Sequence, residues 1–328
     1  MCGFKILISS LQCNGQNFVM EYSGLVFRST GSWYLVRGDN GQFFECRLRG
    51  QYRIMGIRST NPVAVGDRVT FEHEENDNIG VIKIIHDRKN FIVRKSTKLS
   101  KASHIIASNL DMALLVATID HPRTSTGFID RFLVTAEAYH IPVLLVFNKI
   151  DLYTEKQMTY LNELCAVYLE VGYDCQQISV KNGLNISKIE TYLKEKITLI
   201  SGHSGVGKSA LINKIDPSFN LKTGEISSVH NKGKHTTTFA EMHALSTGGW
   251  IVDTPGIKEF GLYDFEAETL AQRFPEMRRR MSECRFTNCT HLHEPDCAIK
   301  LAVEKNEIAN FRYKNYQNMM LKDFTNDN

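Results

Sequence analysis

The pattern of hydrophobic and polar positions changes near residue 105. Between residues 23 and 90, short runs of alternating character predict five β-strands: Gly24–Arg28, Trp33–Arg37, Phe43–Arg49, Arg68–Glu72 and Val81–His86. Asp39-Asn40-Gly41, between the second and third runs, is typical of a type I′ hairpin turn. Five short strands joined by such turns indicate a small closed barrel of the oligonucleotide-binding (OB) type.

Beyond residue 105, apolar strands alternate with helical segments. The strands are Met112–Thr118, Val143–Phe147 and Ile197–Ile200, and the helices lie around Arg131–Tyr139 and Glu155–Val171. This alternation predicts a parallel sheet that is covered by helices. After about residue 264 the pattern becomes helical, and it ends in one predicted helix, Ala298–Leu321.

These changes predict a multidomain chain with four parts. They are an N-terminal extension (1–22), an OB-fold domain (23–95), an α/β domain (96–264) and a mainly helical C-terminal domain (265–328). Residues 1–19 differ in character from the rest, and Met20 precedes the first strand. We therefore expect the extension to be disordered or translation to begin at Met20.

Composition narrows the function only slightly. The chain has 42% hydrophobic and 23% charged residues, which is ordinary for globular domains. A net charge of +3 is too small to identify a polyanionic partner. No apolar run reaches the roughly 18 residues of a membrane span, and Lys5–Leu11 is too short for a signal peptide. We expect a cytoplasmic monomer without a membrane partner.

A glycine-rich loop, residues 202–209, predicts phosphate binding. It has the pattern G-x-x-x-x-G-K-S, follows an apolar strand and precedes a helical segment that starts with Ala210; its residues are Gly202, His203, Ser204, Gly205, Val206, Gly207, Lys208 and Ser209. The glycines let backbone N–H groups surround the phosphates. Lys208 is expected to reach the β- and γ-phosphate oxygens, and the Ser209 hydroxyl to bind Mg²⁺. We call this loop the P-loop.

Two later segments fit the γ-phosphate side of a nucleotide site. Asp253 begins a DTPG sequence after an apolar strand, where it could hold Mg²⁺ through water while the Gly256 N–H contacts the γ-phosphate. The polar segment 233–238 suits a switch loop in which a threonine contacts Mg²⁺ and the γ-phosphate. We favour Thr237, with Thr236 as the close alternative.

The nucleotide base is indicated by Asn148-Lys149-Ile150-Asp151, which follows a buried strand. The Asp151 carboxylate can accept hydrogen bonds from guanine N1–H and the 2-amino group, a donor pair that adenine lacks. Asn148 would tie this loop to the P-loop, and the Lys149 stem would cover the ring. About thirty residues later, Ser179, Val180 and Lys181 are placed to offer backbone N–H groups to guanine O6.

These five elements occur in an order that is rotated relative to ordinary GTPases, with the base-reading motif ahead of the P-loop. Such a permutation is tolerable because chain termini can move to surface loops without changing the core. The segment after DTPG then leads directly into the C-terminal domain. We hypothesise that switch movements are transmitted there.

The sequence closely resembles the ribosome small-subunit-dependent GTPase A (RsgA) family of circularly permuted bacterial GTPases. The resemblance extends from about Ser23 to Phe324 and depends on these sequences: GHSGVGKSALIN (202–213), GKHTTT (233–238), DTPGIKEFGL (253–262) and CRFTNCTHLHEPDC (284–297). It implies an OB domain, a permuted GTPase domain and a zinc domain. It also implies stimulation by the 30S subunit in late maturation, with 16S rRNA and not DNA as the nucleic-acid partner. Departures are Lys234 for the usual arginine, His203 for glutamine and Asp296 for glycine.

A metal site is indicated by Cys284-x4-Cys289-x-His291-x5-Cys297. Three thiolates and one imidazole form a complete tetrahedral set for Zn²⁺, so a structural role is expected. His293 is the competing ligand. The RsgA resemblance selects the same four residues.

The catalytic assignment is less direct. Ile257 follows DTPG, so the glutamine that orients water in Ras-type enzymes is absent there and slow intrinsic hydrolysis is expected. Lys208 and Thr237 would stabilise the transferred phosphoryl group, and His235 is a candidate for positioning the attacking water. The alternative is that His235 has only a structural role. A GTP-dependent RNA-binding switch, in which hydrolysis is incidental, is the competing function.

The predicted barrel combines arginine with aromatic residues, as RNA-binding surfaces do. The arginines are Arg28, Arg37, Arg47, Arg49, Arg53, Arg58 and Arg68, and the aromatic residues are Trp33, Tyr34, Phe43, Phe44 and Tyr52. Strand alternation alone would also turn arginines outward and aromatic rings inward, so both interpretations stay open. Arg278-Arg279-Arg280 and Arg312-Tyr313-Lys314 are further candidates, with a solvated helix face as the alternative.

Overall fold

The computed structural model describes residues 19–48, 62–74, 79–94, 104–221, 240–253 and 267–323. Within these ranges no helix is both long and apolar enough to cross a membrane. The N-terminal extension before residue 19 and the switch segment 233–238 lie outside the described residues.

The N-terminal strands form a closed barrel. They are β1 (Val19–Ser29), β2 (Tyr34–Gly38), β3 (Phe43–Leu48), β4 (Arg68–Glu74) and β5 (Ile79–Ile85). β1 pairs with both β2 and β4, and β3 pairs with β2 and, in parallel, with β5, which in turn pairs with β4. Each strand therefore has two neighbours in a ring. Val26, Val36, Phe71 and Ile82 are among the fully buried residues inside it. The predicted OB-type barrel is confirmed.

The turn between β2 and β3 differs from the predicted type I′ turn. The Gly41 N–H donates to the Gly38 carbonyl, and the Gly38 N–H donates to the Gln42 carbonyl, which leaves a three-residue loop. Only Gly41 in this loop has a positive φ, of 86°, whereas type I′ requires positive φ at both central residues. The Asn40 carboxamide accepts from the Gln42 N–H at 3.0 Å and supports this geometry instead.

A hairpin of β6 (Phe91–Arg94) and β7 (His104–Ser108) precedes the central domain, which is a six-stranded sheet. In chain order the strands of this sheet are β8 (Met112–Ala117), β9 (Val143–Phe147), β10 (Asp174–Gln177), β11 (Ile197–Ser201), β12 (Glu241–Ala244) and β13 (Trp250–Asp253). In space the order is β10-β9-β8-β11-β13-β12, and only β12 is antiparallel.

Helices cover both faces of the sheet, as the alternation predicts. All six residues of β8 are buried and point alternately into two hydrophobic clusters. Helices α1 (Thr126–Ala138) and α2 (Glu155–Val171) pack on one face, and α3 (Ile186–Leu193) and α4 (Lys208–Ile215) pack on the other. Because β8 to β11 run in parallel, the loops after them meet at one edge.

The C-terminal domain contains short helices: α5 (Ala267–Leu270), α6 (Pro275–Arg278), α7 (Ala298–Glu304) and α8 (Asn310–Asp323). The single helix predicted for 298–321 is therefore wrong. Asn306 adopts a positive φ of 58°, its N–H donates to the Val303 carbonyl, and the Glu307 N–H donates to the Ala302 carbonyl. This pair of bonds is the Schellman pattern that ends a helix. The chain then turns so that Ile308 is buried.

Candidate nucleotide-binding site and metal centre

The P-loop joins β11 to α4 at the carboxyl edge of the sheet. Gly202, Gly205 and Gly207 all have positive φ values, which lets the backbone curl into a phosphate-sized turn. The Lys208 ammonium lies along the loop and donates to the carbonyl oxygens of Gly202 and His203, both at 2.8 Å. Ser209 is buried in the first turn of α4. The loop therefore has the curled shape, with its lysine at hand, that a phosphate site requires.

The Asn148 carboxamide joins the base-reading loop to the P-loop. Its Nδ2 donates to the Val206 carbonyl at 2.8 Å, and its Oδ1 accepts from the Val180 N–H at 3.2 Å. Asn148 is buried, so both bonds are shielded from water. One side chain thus fixes three loops that follow β9, β10 and β11.

Lys149 and Asp151 extend from the same loop. Lys149 has a positive φ of 67°, and its Nζ donates to the carbonyl oxygens of Gly205 at 2.7 Å and His121 at 2.5 Å. The exposed Asp151 carboxylate accepts from the Ser179 hydroxyl at 2.6 Å. Ser179 therefore orients the carboxylate that was predicted to read guanine.

Gly207 is closely approached by Asn148. An added Cβ at Gly207 would lie 2.4 Å from the Asn148 Nδ2, and φ there is +103°. Gly207→Ala is expected to push Asn148 off the Val206 carbonyl and to weaken guanine-nucleotide binding by about tenfold or more, because a lost buried hydrogen bond costs about 1–3 kcal/mol. Equilibrium titration with a fluorescent GDP analogue measures this change.

The matched control is Gly248→Ala. Gly248 also has a positive φ, of +89°, but no atom lies within 4 Å of its added Cβ. The Gly248→Ala variant should be destabilised by the strained backbone conformation of alanine there, without any disturbance of the nucleotide loops. Equal losses of affinity in the two variants would contradict the steric role given to Gly207.

The four predicted metal ligands lie together in the C-terminal domain. The ligand atoms of Cys284, Cys289, His291 and Cys297 are all within 4.8 Å of one another. The His291 Nδ1 is 3.6 Å from the Cys284 sulfur and 3.4 Å from the Cys297 sulfur. Tetrahedral Zn²⁺ with ordinary bond lengths places sulfur and nitrogen ligands about 3.6 Å apart, so the donor set fits zinc.

The backbone around this cluster is held by hydrogen bonds. The Tyr313 hydroxyl donates to the His291 carbonyl at 2.6 Å, and the Tyr316 hydroxyl donates to the Thr290 carbonyl at 2.5 Å. Asp296 has a positive φ of 54°, a backbone conformation that glycine adopts without steric cost. His293 is exposed and does not join the cluster.

A model of the RsgA GTPase matches residues 85–263, and a model of the RsgA N-terminal domain matches residues 23–82. The chain belongs to the RsgA GTPase family. This membership confirms the resemblance and the enzyme class, a GTP hydrolase.

Relatives and solved structures agree with the RsgA assignment. The small ribosomal subunit biogenesis GTPase RsgA 2 of Bacteroides thetaiotaomicron is 54% identical over 297 residues, covering 90% of this chain and 96% of the relative. The small ribosomal subunit biogenesis GTPase RsgA of Christiangramia forsetii is 52% identical over 299 residues, covering 90% and 95%.

Two crystal structures resemble this RsgA-family chain over nearly its whole length. YjeQ from Thermotoga maritima has a TM-score of 0.76 and 35% identity, covering 92% of this chain and 98% of its own. YloQ, described as a circularly permuted GTPase, has a TM-score of 0.74 and 28% identity, covering 94% and 97%. The permuted GTPase fold is therefore confirmed.

Several predicted site residues of this RsgA-family chain are not described. His235, Thr236, Thr237 and Gly256 lie outside the described residues. The backbone of Asp253 is placed at the end of β13, where it pairs with Glu241 of β12. The γ-phosphate half of the site therefore remains a prediction.

The structure also places residues that the sequence reasoning missed. The loop after β8 supplies the His121 carbonyl to Lys149, and the Phe128 ring of α1 lies against His203 with centroids 3.9 Å apart. Burial and the nearby Lys208 lower the pKa of His203, which favours its neutral form. One indication of this role was present in the sequence, because the loop that contains His121 follows the buried strand β8. The loops that lie beside it became clear only from the order of the strands in the sheet.

Two of the six C-terminal RNA-binding candidates are buried, whereas Arg278, Arg279 and Lys314 are exposed. Arg312 is 1% exposed and Tyr313 is buried. Arg278 pairs with Glu137, Arg279 donates to the Val171 carbonyl, and Arg280 pairs with Glu307, all in contacts of 2.8–3.0 Å. Arg312 and Tyr313 are thus structural, and neither the RNA-contact interpretation nor a solvated helix face applies to them.

Proposed function

We propose that this RsgA-family GTPase hydrolyses GTP to GDP and phosphate during late maturation of the 30S subunit, and that the subunit stimulates hydrolysis. The Asn148 carboxamide, which joins the P-loop to both base loops, is the observation that carries the nucleotide site. The relatives' names, small ribosomal subunit biogenesis GTPase, support the biological role.

The described half of the site has these proposed roles. Asp151 reads guanine N1–H and the 2-amino group, and the backbone N–H of Lys181 faces O6. The other two N–H groups predicted for O6 are already used, because Ser179 donates to the Leu184 carbonyl and Val180 donates to the Asn148 Oδ1. P-loop amides and Lys208 bind the phosphates, and Ser209 is a ligand for Mg²⁺. When bound, Mg²⁺ would neutralise charge on the β- and γ-phosphates.

The other half of the site depends on residues assigned from sequence. Thr237, or Thr236, is proposed to contact Mg²⁺ and the γ-phosphate. Asp253 is proposed to hold Mg²⁺ through water, and the Gly256 N–H to contact the γ-phosphate. His235 is proposed to position the attacking water. If the His235→Ala variant hydrolyses GTP at the wild-type rate when small subunits are present, His235 does not have that role.

The RNA surface is proposed on the barrel, with 16S rRNA as its partner. The Arg47 guanidinium lies 4.1 Å from the centre of the Trp33 ring, and Trp33 and Phe43 are both substantially exposed. Exposed aromatic rings beside arginine suit base stacking and phosphate attraction. Tyr34, by contrast, is buried in the core.

Zinc is proposed at the Cys₃His cluster. Cys297→Ser is expected to remove stoichiometric zinc and to expose the 284–297 loop to proteolysis, because the short metal loop depends on its ligands. Elemental analysis of the purified chain and limited proteolysis measure both effects. Cys175→Ser, outside the cluster, is the control. Full zinc retention by Cys297→Ser would remove this assignment.

Co-sedimentation tests the proposed ribosomal role. The full chain should pellet with purified small subunits when a non-hydrolysable GTP analogue is present and much less with GDP, because the γ-phosphate favours the active state. Large subunits are the control. Equal recovery with both subunits, or no dependence on nucleotide, would count against the proposal.

A further inference from the structure

A continuous set of contacts runs from the P-loop through α1 to the C-terminal domain. We propose that α1 couples the P-loop to the C-terminal domain, with Phe128 positioning the P-loop and Asp130 anchoring α8. This inference rests on the proposed nucleotide site. The proposed coupling passes through packed side chains of α1. It is separate from the hypothesis that switch movements pass along the chain after DTPG into the C-terminal domain.

The first contact is between α1 and the P-loop. The rings of Phe128 and His203 have centroids 3.9 Å apart and an angle of 31° between their planes. His203 follows Gly202 directly, and its carbonyl accepts from the Lys208 ammonium. Phe128 lies in the first turn of α1, which the Ser125 hydroxyl caps by accepting from the Phe128 N–H. A shift of this turn would therefore displace the loop residue that contacts the phosphate-binding lysine.

The second contact is between α1 and α8. Asp130, two residues after Phe128, is fully buried and accepts hydrogen bonds from Arg312 at 2.5 Å, Asn315 at 2.6 Å and Tyr168 at 2.9 Å. Arg312 also donates to both Glu276 oxygens, at 2.8 and 3.1 Å. Buried charge-assisted bonds fix direction as well as distance. Helix α8 is therefore held at the same end of α1 that touches the P-loop.

The third contact reaches the metal loop. Tyr313 and Tyr316, on the same helix as Arg312, donate to the backbone carbonyls of His291 and Thr290. Close packing also links α8 to the first turn of α1, because a Cβ added at Gly127 would lie 3.4 Å from the Asn315 Oδ1. Packed contacts of this kind change between discrete arrangements and do not deform continuously. Movement of α8 by a bound partner would thus reach His203.

A double-mutant cycle tests the coupling in the full chain. Asn315→Ala removes one anchor bond but leaves the Arg312–Asp130 pair, and Phe128→Leu removes the ring contact with His203. Asn315→Ala should change the dissociation constant for a fluorescent GDP analogue by about fivefold or more. In the Phe128→Leu background the same substitution should change it less than about twofold, since the connection is already broken.

Two further variants sharpen this test. Asn318, also on α8, is exposed, so Asn318→Ala should leave GDP affinity unchanged. Phe128→Tyr keeps the aromatic ring and should retain the coupling. Hydrogen exchange should show that GDP protects residues 310–323 in the wild type and not in Phe128→Leu.

The outcomes separate this inference from the proposed function. If the wild type does not bind the GDP analogue, the nucleotide site itself is wrong, and the coupling with it. If the wild type binds but Asn315→Ala has no effect, or the two substitutions act independently, the nucleotide site stands and the coupling is overturned.

Discussion

Replacing Asp151 with asparagine is expected to weaken GDP and GTP binding by about 10² to 10⁴-fold. The carboxylate can accept two hydrogen bonds from guanine, and hydrogen bonds to a charged group contribute about 1.5–3 kcal/mol each. Asparagine offers only one oxygen and presents an N–H₂ group toward donors on the base. The P-loop and the Asn148 junction remain intact, so the loss should appear in base recognition and not in folding.

The same substitution should reverse the preference between bases. Xanthine carries a carbonyl where guanine carries the 2-amino group, so the side-chain amide introduced by Asp151→Asn can donate where the carboxylate could only accept. Competition titrations with GDP and xanthosine diphosphate measure this. Asp174→Asn on the exposed edge strand is the control. Unchanged GDP affinity in Asp151→Asn would show that the base lies elsewhere.

Arg312→Met is expected to lower the free energy of unfolding by about 3–5 kcal/mol, because it leaves Asp130 and Glu276 without their buried cation. Burial raises the pKa of Asp130, and Arg312 acts against that rise. Removing Arg312 should therefore raise the pKa of Asp130 further, so that the carboxyl group is either protonated or left as a buried charge without a cation. Urea denaturation with the full chain measures the change.

The control for Arg312→Met is Arg285→Met. Arg285 and Asp296 form an ion pair of similar length, 2.8 Å, but both side chains are more than 60% exposed. Exposed pairs contribute about 0–1 kcal/mol, so this variant should unfold near the wild-type midpoint. Equal destabilisation by the two variants would contradict the structural role of the buried network.

Much of the nucleotide site could be predicted because its residues are local in sequence. The P-loop glycines, Asn148 and Asp151 stand at fixed spacings after apolar strands, and the structure brings these loops to one sheet edge. Strand periodicity likewise located the barrel strands within a few residues. Local patterns succeed where local geometry determines the residue type.

Other features depended on tertiary structure. The break at Asn306 was missed because asparagine stops a helix only when its backbone turns left-handed, which here buries Ile308. The charged sequence around Arg312 suggested an exposed surface. Arg312 can nevertheless be buried, because it pairs with two carboxylates, Asp130 of α1 and Glu276 of α6. Partners 36 and 182 residues away leave no local signal.

The short strand β10 was missed for a related reason. β10 has the sequence DCQQ and none of its residues is fully buried, so it lacks the apolar run of a central strand. Its place at the edge of the sheet explains this composition.

The hypothesis that switch movements pass along the chain into the C-terminal domain stays a prediction.

The rate of GTP hydrolysis with and without small ribosomal subunits tests the central claim most directly. Phosphate release from GTP by the wild-type chain alone should be slow, and purified small subunits should accelerate it by at least about tenfold, since partner-supplied ordering of a GTPase site commonly gives much more. Large subunits and ATP should give no such increase. A rate that is the same with and without small subunits, or an equal rate with ATP, would contradict a GTPase that acts on the small subunit.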